Sequence, residues 1–156
     1  MADPVIEVFA GDRQDLEHLF LLAEDSREQL AAYLGLGDVL VARGEGGILG
    51  HAQVIATGSP GEFELKNIAV LEDIQGQGLG RILVEAVFRH CQARGGKRLI
   101  VSTATAGVGQ LRFYQRLGFR FDRIVRDAFG PAQGYPEGIV IDGIPLRDQI
   151  FLDRDL

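Results

Sequence analysis

Gln75-Gly76-Gln77-Gly78-Leu79-Gly80-Arg81 is the stretch with the clearest chemical content. Three alternate glycines lie between an apolar run, Phe63 to Val70, and a helical pattern, Ile82 to Ala93. Without a Cβ, glycine lets the backbone approach a ligand closely and adopt φ > 0. The N–H groups of a first helical turn have no partner inside the helix, and the helix dipole favours an anion beside them. A pyrophosphate suits such a cradle.

Two common nucleotide motifs fail here on spacing. The dinucleotide fingerprint G-x-G-x-x-G would need glycine or alanine where Arg81 stands, and the Walker pattern needs a lysine that the loop lacks. What remains is Q/R-x-x-G-x-G/A, read as Gln75, Gly78 and Gly80. That pattern resembles the acyl-CoA pyrophosphate loop of the GNAT superfamily of N-acetyltransferases. The flanks extend the resemblance over about 60 residues. A strand leads through Val70-Leu71-Glu72-Asp73-Ile74 into the loop, a helix and a further strand follow, and then comes Leu111-Arg112-Phe113-Tyr114-Gln115-Arg116-Leu117-Gly118-Phe119. Its aromatic-Tyr-x-x-x-Gly-Phe ending resembles a second signature of the superfamily.

The resemblance implies acetyl-CoA as cosubstrate, held by Gln75, Gly76, Gln77, Gly78, Leu79, Gly80 and Arg81. It implies transfer of the acetyl group to a primary amine by direct attack. It also implies two parallel strands that splay after the loop. The pantetheine arm enters that gap and bonds to strand backbone, here that of Ile68 and Val70. Glu64 lies eleven residues before Gln75, where many members carry a glutamate general base. Strand alternation alone reads Glu64 as a solvent-facing charge beside Lys66. Tyr114 resembles the tyrosine that protonates the leaving thiolate; as a plain helical residue it is a packed aromatic. One departure stands out. Many relatives have an asparagine near the start of the following helix, and this chain has Thr105-Ala106-Gly107-Val108-Gly109-Gln110 there.

The elements that must position these groups read as α/β (α+β). The expectation is a mixed, mostly antiparallel sheet of six or seven strands with helices on both faces, in a single domain over residues 1–156. Val5 to Phe9 reads as a strand, Asp12 and Ser26 as the caps of two helices, and Asp38 to Arg43 and Ile48 to Ala56 as a hairpin about Gly44-Glu45-Gly46-Gly47. In the fourth strand, alternation places Phe63, Leu65, Asn67 and Ala69 on one face. Positions 79, 82, 83, 86 and 87 form the inner stripe of the central helix, which Gly95-Gly96 ends. Lys97 to Thr105, Phe119 to Arg126 and Pro145 to Leu152 read as later strands, with a helix over Ala106 to Leu117. By resemblance, the first helix pair and the loops at the far end border the acceptor cleft, which makes Glu137, Arg147 and Asp148 substrate-site candidates; they read equally well as surface ion-pair residues.

Composition narrows the class. Of 156 residues, 46% are hydrophobic and 24% charged, as in a soluble globular protein. A net charge of −6 with no basic run disfavours nucleic acid as a partner. No apolar run approaches the length of a membrane span, and the Met1-Ala2-Asp3-Pro4 start has no leader character. The single cysteine, Cys91, excludes an intrachain disulfide, fits the cytoplasm, and reads as a buried thiol. His51 and His90 read as packed side chains, and no His, Cys and carboxylate spacing suits a metal. The resemblance admits a homodimer by sheet-edge pairing. Two rival functions stay open: a CoA-binding regulatory or interaction module without transferase activity, and, further off, a nicotinamide oxidoreductase.

Overall fold

The computed structural model describes residues 3–156; Met1 and Ala2, part of the start read for a leader, lie outside them. The chain runs β1 (Val5–Val8), a 3-10 turn (Arg13–Leu16), α1 (Glu17–Ala23), α2 (Arg27–Tyr33), β2 (Asp38–Gly44), β3 (Gly47–Ala56) and β4 (Glu62–Val70). After the glycine loop come α3 (Leu79–Ala93), β5 (Arg98–Ala104), α4 (Val108–Arg116), β6 (Arg120–Val125), β7 (Val140–Ile141), β8 (Ile144–Pro145) and β9 (Gln149–Asp155). One seven-stranded sheet has the order β1-β2-β3-β4-β5-β9-β6, and β7 and β8 form a separate small ribbon. Only the β4–β5 pair in the sheet is parallel.

Local sequence accounts for most boundaries. The Asp12 carboxylate accepts from the Gln14 N–H, and the Ser26 hydroxyl accepts from the Gln29 N–H at 3.1 Å, so both expected caps form. Gly95, at φ 79°, follows the end of α3. The strand expected over Pro145 to Leu152 is two pieces. Chain direction changes at Leu146 to Asp148, where the Leu146 N–H donates to the Ile139 carbonyl and the Asp148 carbonyl accepts from Thr105 N–H.

Helices cover both faces. Leu16, Leu19, Phe20, Leu30 and Tyr33 pack with Val39 and Val41 on the α1–α2 face. Leu79, Leu83, Val84, Val87, Phe88 and Cys91 of α3 pack with Leu65, Leu99, Val101 and Leu152 on the other face, together with Tyr114 of α4. Each such fully buried side chain contributes about 1.5–3 kcal/mol of transfer free energy. Ile82, expected in the inner stripe, sits on the outer side at 38% exposure. No helix of the described residues is long and apolar enough to cross a membrane.

Two irregularities of β4 shape the site. Against β3 the register runs His51↔Ala69, Ala52↔Ile68, Gln53↔Asn67 and then Val54↔Leu65, so Lys66 is an extra, bulged residue. A bulge reverses the strand's alternation. Phe63, Leu65, Asn67 and Ala69 therefore do not share a face as plain alternation requires. Phe63 and Leu65 belong to the α3 cluster, whereas Asn67 reaches Tyr33 and the Phe20 carbonyl on the α1–α2 face. Glu64 sits opposite Ile55, which packs on the α1–α2 cluster, so Glu64 and Asn67 share that face.

The second irregularity is separation. The β4–β5 ladder stops at Leu65↔Val101, although β4 continues to Val70 and β5 to Ala104. The Leu71 N–H donates to the Leu49 carbonyl at 2.9 Å, toward β3. By strand alternation the backbone groups of Ile68 and Val70 point the opposite way, into the gap.

Buried polar contacts hold α2 against this frame. Gln53 Nε2 donates to the Tyr33 carbonyl at 2.8 Å and the Leu36 carbonyl at 2.9 Å, while its own Oε1 has no partner. Gln53→Leu strips one buried and one part-buried carbonyl of their donor and removes that orphaned oxygen. The expected net loss is about 1–2 kcal/mol, read as a lower urea midpoint. An unchanged midpoint would show that these bonds do not anchor α2.

Candidate active site

The glycine loop and α4 enclose one cavity of about 480 Å³. Gly76 and Gly78 have φ of 80° and 88°, the left-handed region, and a Cβ on either would point into open space. Gly78 is the N-cap of α3, and no side chain caps the first turn. Those N–H groups are thus free for an anion. Gln75, Leu79, Gly80 and Arg81 line the cavity with them, and Gln77 lies exposed outside it. Arg112 and Arg116 also face it, one helical turn apart on α4. The sequence marks them only by their i, i+4 spacing. Left-handed glycines, an open helix end and three arginines fit the pyrophosphate of a CoA.

Gln75 closes the inner end. Its Nε2 donates to the Val70 carbonyl at 3.0 Å, so one gap-facing carbonyl is already occupied and the Ile68 groups remain open. Beyond it, a second cleft of about 480 Å³ runs through the separated strands from one face of the sheet to the other. Residues 65–70 of β4 and 101–104 of β5 form its walls. Gln110, Phe113 and Tyr114 line it from the α4 side; Glu24, Tyr33 and Tyr135 line it from the α1–α2 side.

Tyr114 is 4% exposed and packs edge-on against Phe113 and Phe119, at ring separations of 5.2 and 5.5 Å. Burial raises its phenol pKa, with no hydrogen bond or charge contributing. Tyr114 is thus a packed aromatic that also lines the cleft. Glu64 is half-buried rather than solvent-facing. Burial raises its pKa, while Lys66 and Arg123 pull it down. Its carboxylate shares the cleft's α1–α2 face but does not line the cleft.

A directional hydrogen-bond chain fills the α1–α2 side. His51 is wholly buried and stacks on Phe20 at 4.1 Å. Desolvation lowers its pKa to about 4 despite the Asn67 bond, so it is neutral. His51 Nε2 and Asn67 Oδ1 are 2.8 Å apart; Asn67 Nδ2 donates to Tyr33 Oη at 3.0 Å; Tyr33 donates to Glu24 Oε1 at 3.0 Å. Tyr135 donates to Glu24 Oε2 at 2.9 Å. Glu24 and Tyr135 lie far apart in sequence, and no local pattern announced their meeting.

The remaining candidates divide. Gln110 and Gly107, from the stretch that lacks the usual asparagine, line the cleft, whereas Thr105 does not. Glu137 and Arg147 are exposed and line no cavity described here. Asp148 accepts from the Asp127 N–H at 2.9 Å and so shapes the chain beside the cleft; it makes no ion pair with Arg147. His90 pairs with Asp38 at 2.9 Å, and burial pushes the Cys91 thiol up to about 12. Among the described residues no group of three or more His, Cys, Asp and Glu is placed to hold a metal.

Fold and site together define an acyl-CoA-dependent transferase architecture, and comparison with known proteins agrees. The Acetyltransferase (GNAT) family model matches residues 6–119. The uncharacterized N-acetyltransferase YvbK of Bacillus subtilis is 32% identical over 151 residues, covering 97% of this chain and 96% of its own. An IAA acetyltransferase from Bacillus cereus superposes with a TM-score of 0.88 at 35% identity, covering 98% of this chain and 99% of that one. A GNAT family acetyltransferase from Elizabethkingia anophelis, solved with acetyl-CoA bound, gives 0.89 at 32% identity over the whole of both chains. The chain belongs to the GNAT acetyltransferase family. It is an N-acetyltransferase, and acetyl-CoA is its cosubstrate.

Gly78→Val puts a β-branched side chain at positive φ, pointing into the anion cradle. Acetyl-CoA affinity is expected to fall at least about tenfold, the equivalent of 1.4 kcal/mol. The thermal shift that acetyl-CoA produces would shrink accordingly. A full shift in the variant would place the pyrophosphate elsewhere.

Proposed function

We propose that the enzyme acetylates a primary amine by direct attack on the acetyl-CoA thioester, within the cytoplasm. The continuous cleft through the separated strands carries this reading: it joins the glycine-loop side, where Tyr114 lies, to the polar α1–α2 side. Cys91 does not support a covalent acyl-enzyme, because it is buried with its thiol protonated.

Bound acetyl-CoA would supply the thioester carbonyl carbon that the amine attacks. The glycine loop, Arg112 and Arg116 hold its phosphates, and the gap-facing backbone of β4 orients the rest. Glu64 takes the ammonium proton through water, since its carboxylate stands beside the cleft rather than in it. Partial burial makes it a stronger base than an ordinary carboxylate. Tyr114 gives its proton to the departing sulfur as the carbon–sulfur bond breaks. Its desolvated phenol is held neutral, the form a donor needs.

The pH dependence follows from the sign of the Glu64 shift. A base must be ionised, and a raised pKa moves the acid limb of kcat/KM above the ordinary carboxylate value of about 4.3. Activity is expected to fall as pH drops through that raised value. Glu64→Gln should remove the limb and lower kcat on the order of a hundredfold. A limb that survives in Glu64→Gln would assign the base to another group. Because a thiol of pKa about 8.5 already leaves readily, Tyr114→Phe should lower kcat only about tenfold while KM for acetyl-CoA changes little. Equal turnover in wild type and variant would leave Tyr114 a packing residue. Thiol release from acetyl-CoA with a panel of amines tests the reading as a whole. No release with any amine, alongside a clear acetyl-CoA thermal shift, would favour the binding-module alternative.

A further inference from the structure

Of the two cleft carboxylates that the reaction above does not use, Glu24 and the exposed Asp25, Glu24 is the one held in place by hydrogen bonds. It stands at the corner after α1, half-buried, and receives three donors: the Tyr33 hydroxyl at 3.0 Å, the Tyr135 hydroxyl at 2.9 Å and the Ser26 N–H at 3.2 Å. All three donors are neutral, and among the described residues no Lys, Arg or His pairs with Glu24. An ionised carboxylate offers about four acceptor sites, so one remains for a guest. The hydrogen-bond chain from His51 through Asn67 and Tyr33 ends on this group. Its orientation is therefore fixed before any ligand arrives.

Local charge sets the sign of that guest. Glu24 and Asp25 both line the cleft, and the cation lining it is Lys66. Lys66 Nζ rests over the Tyr33 ring, 4.8 Å from its centroid, on the face of the ring rather than at the carboxylate. The cleft is net negative. Phe129 and Tyr135, edge-on at 5.1 Å, add an apolar wall beside the carboxylate. At the other end of the same cleft lies the buried Tyr114, whose hydroxyl has no protein hydrogen bond.

The reacting nitrogen must lose its charge before attack. A carboxylate paired directly with it would stabilise the ammonium and oppose that loss. A fixed anion away from Tyr114 serves better against a cation that does not react. We propose that Glu24 binds a second, non-reacting ammonium of the acceptor, and that the preferred acceptor is a linear diamine whose methylene spacer lies along Phe129 and Tyr135. This rests on the amine-transfer reading above. Tyr33 and Tyr135 are positioning residues for the carboxylate.

The test compares linear alkyl diamines with monoamines of matched length, in wild type, Glu24→Gln and Tyr135→Phe. Wild type is expected to prefer the best diamine in kcat/KM on the order of tenfold. The preference should collapse toward one in Glu24→Gln and fall partway in Tyr135→Phe, with thermal midpoints confirming that both variants fold. A second readout needs no turnover: calorimetric binding of the diamine to CoA-loaded protein, weakened about tenfold by Glu24→Gln. Binding weakened in the variant with no turnover in wild type would sink the transfer reading and the diamine's role as acceptor, leaving Glu24 as an ammonium site alone. Turnover with equal use of diamine and monoamine, or a preference that Glu24→Gln leaves intact, would overturn the inference while the transfer reading stands.

Discussion

The site depends on two strands that stop pairing. Past Leu65 and Val101, β4 and β5 run on without each other, and the gap-facing backbone groups of Ile68 and Val70 lose their ladder partners. Unpaired buried backbone is costly, so such a gap persists only where side chains, solvent or a ligand satisfy it. Gln75 meets part of that demand by donating to the Val70 carbonyl. The same residue opens the glycine loop. Strand gap and anion cradle are thereby coupled through one side chain, and a single extended ligand can satisfy both.

The bulge at Lys66 does the complementary work on the other side. It turns Asn67 toward α1 and α2, where Asn67 links neutral His51 to Tyr33 and hence to Glu24. Neutral donors aimed at one carboxylate make a polar surface without a compensating cation. Hydrophobic packing around Phe20, Leu16 and Leu19 keeps the arrangement rigid. The two helical layers thus differ in character: α3 and α4 present cationic and apolar surface to the glycine-loop cavity, and the α1–α2 side presents carboxylate and phenol to the cleft.

Much of this was legible in the chain. The glycine spacing, the strand before it and the helix after it are local, and local geometry is what sequence encodes most directly. Ser26 and Asp12 cap as their types predict. The failures share a cause. The bulge depends on how β4 registers against β3, which alternation within β4 cannot reveal, so Asn67 was assigned to the wrong face. Ile82 was placed inward by a five-position stripe, while the helix turns it outward. Nothing local to Glu24 signals its role, because its partner Tyr135 arrives from a loop near the far end of the chain. Arg112 and Arg116 were visible as types, but only the fold brings α4 beside the glycine loop.

Backbone hydrogen exchange, followed residue by residue with and without acetyl-CoA, tests the central claim most directly. If the open strand backbone and the glycine loop receive one ligand, acetyl-CoA should slow exchange at the gap-facing Ile68 and Val70 amides and at residues 76–81. The amides of β4 that pair with β3 should change less. Unchanged exchange at Ile68 and Val70 under saturating acetyl-CoA would contradict the account, since the gap would then have some other purpose.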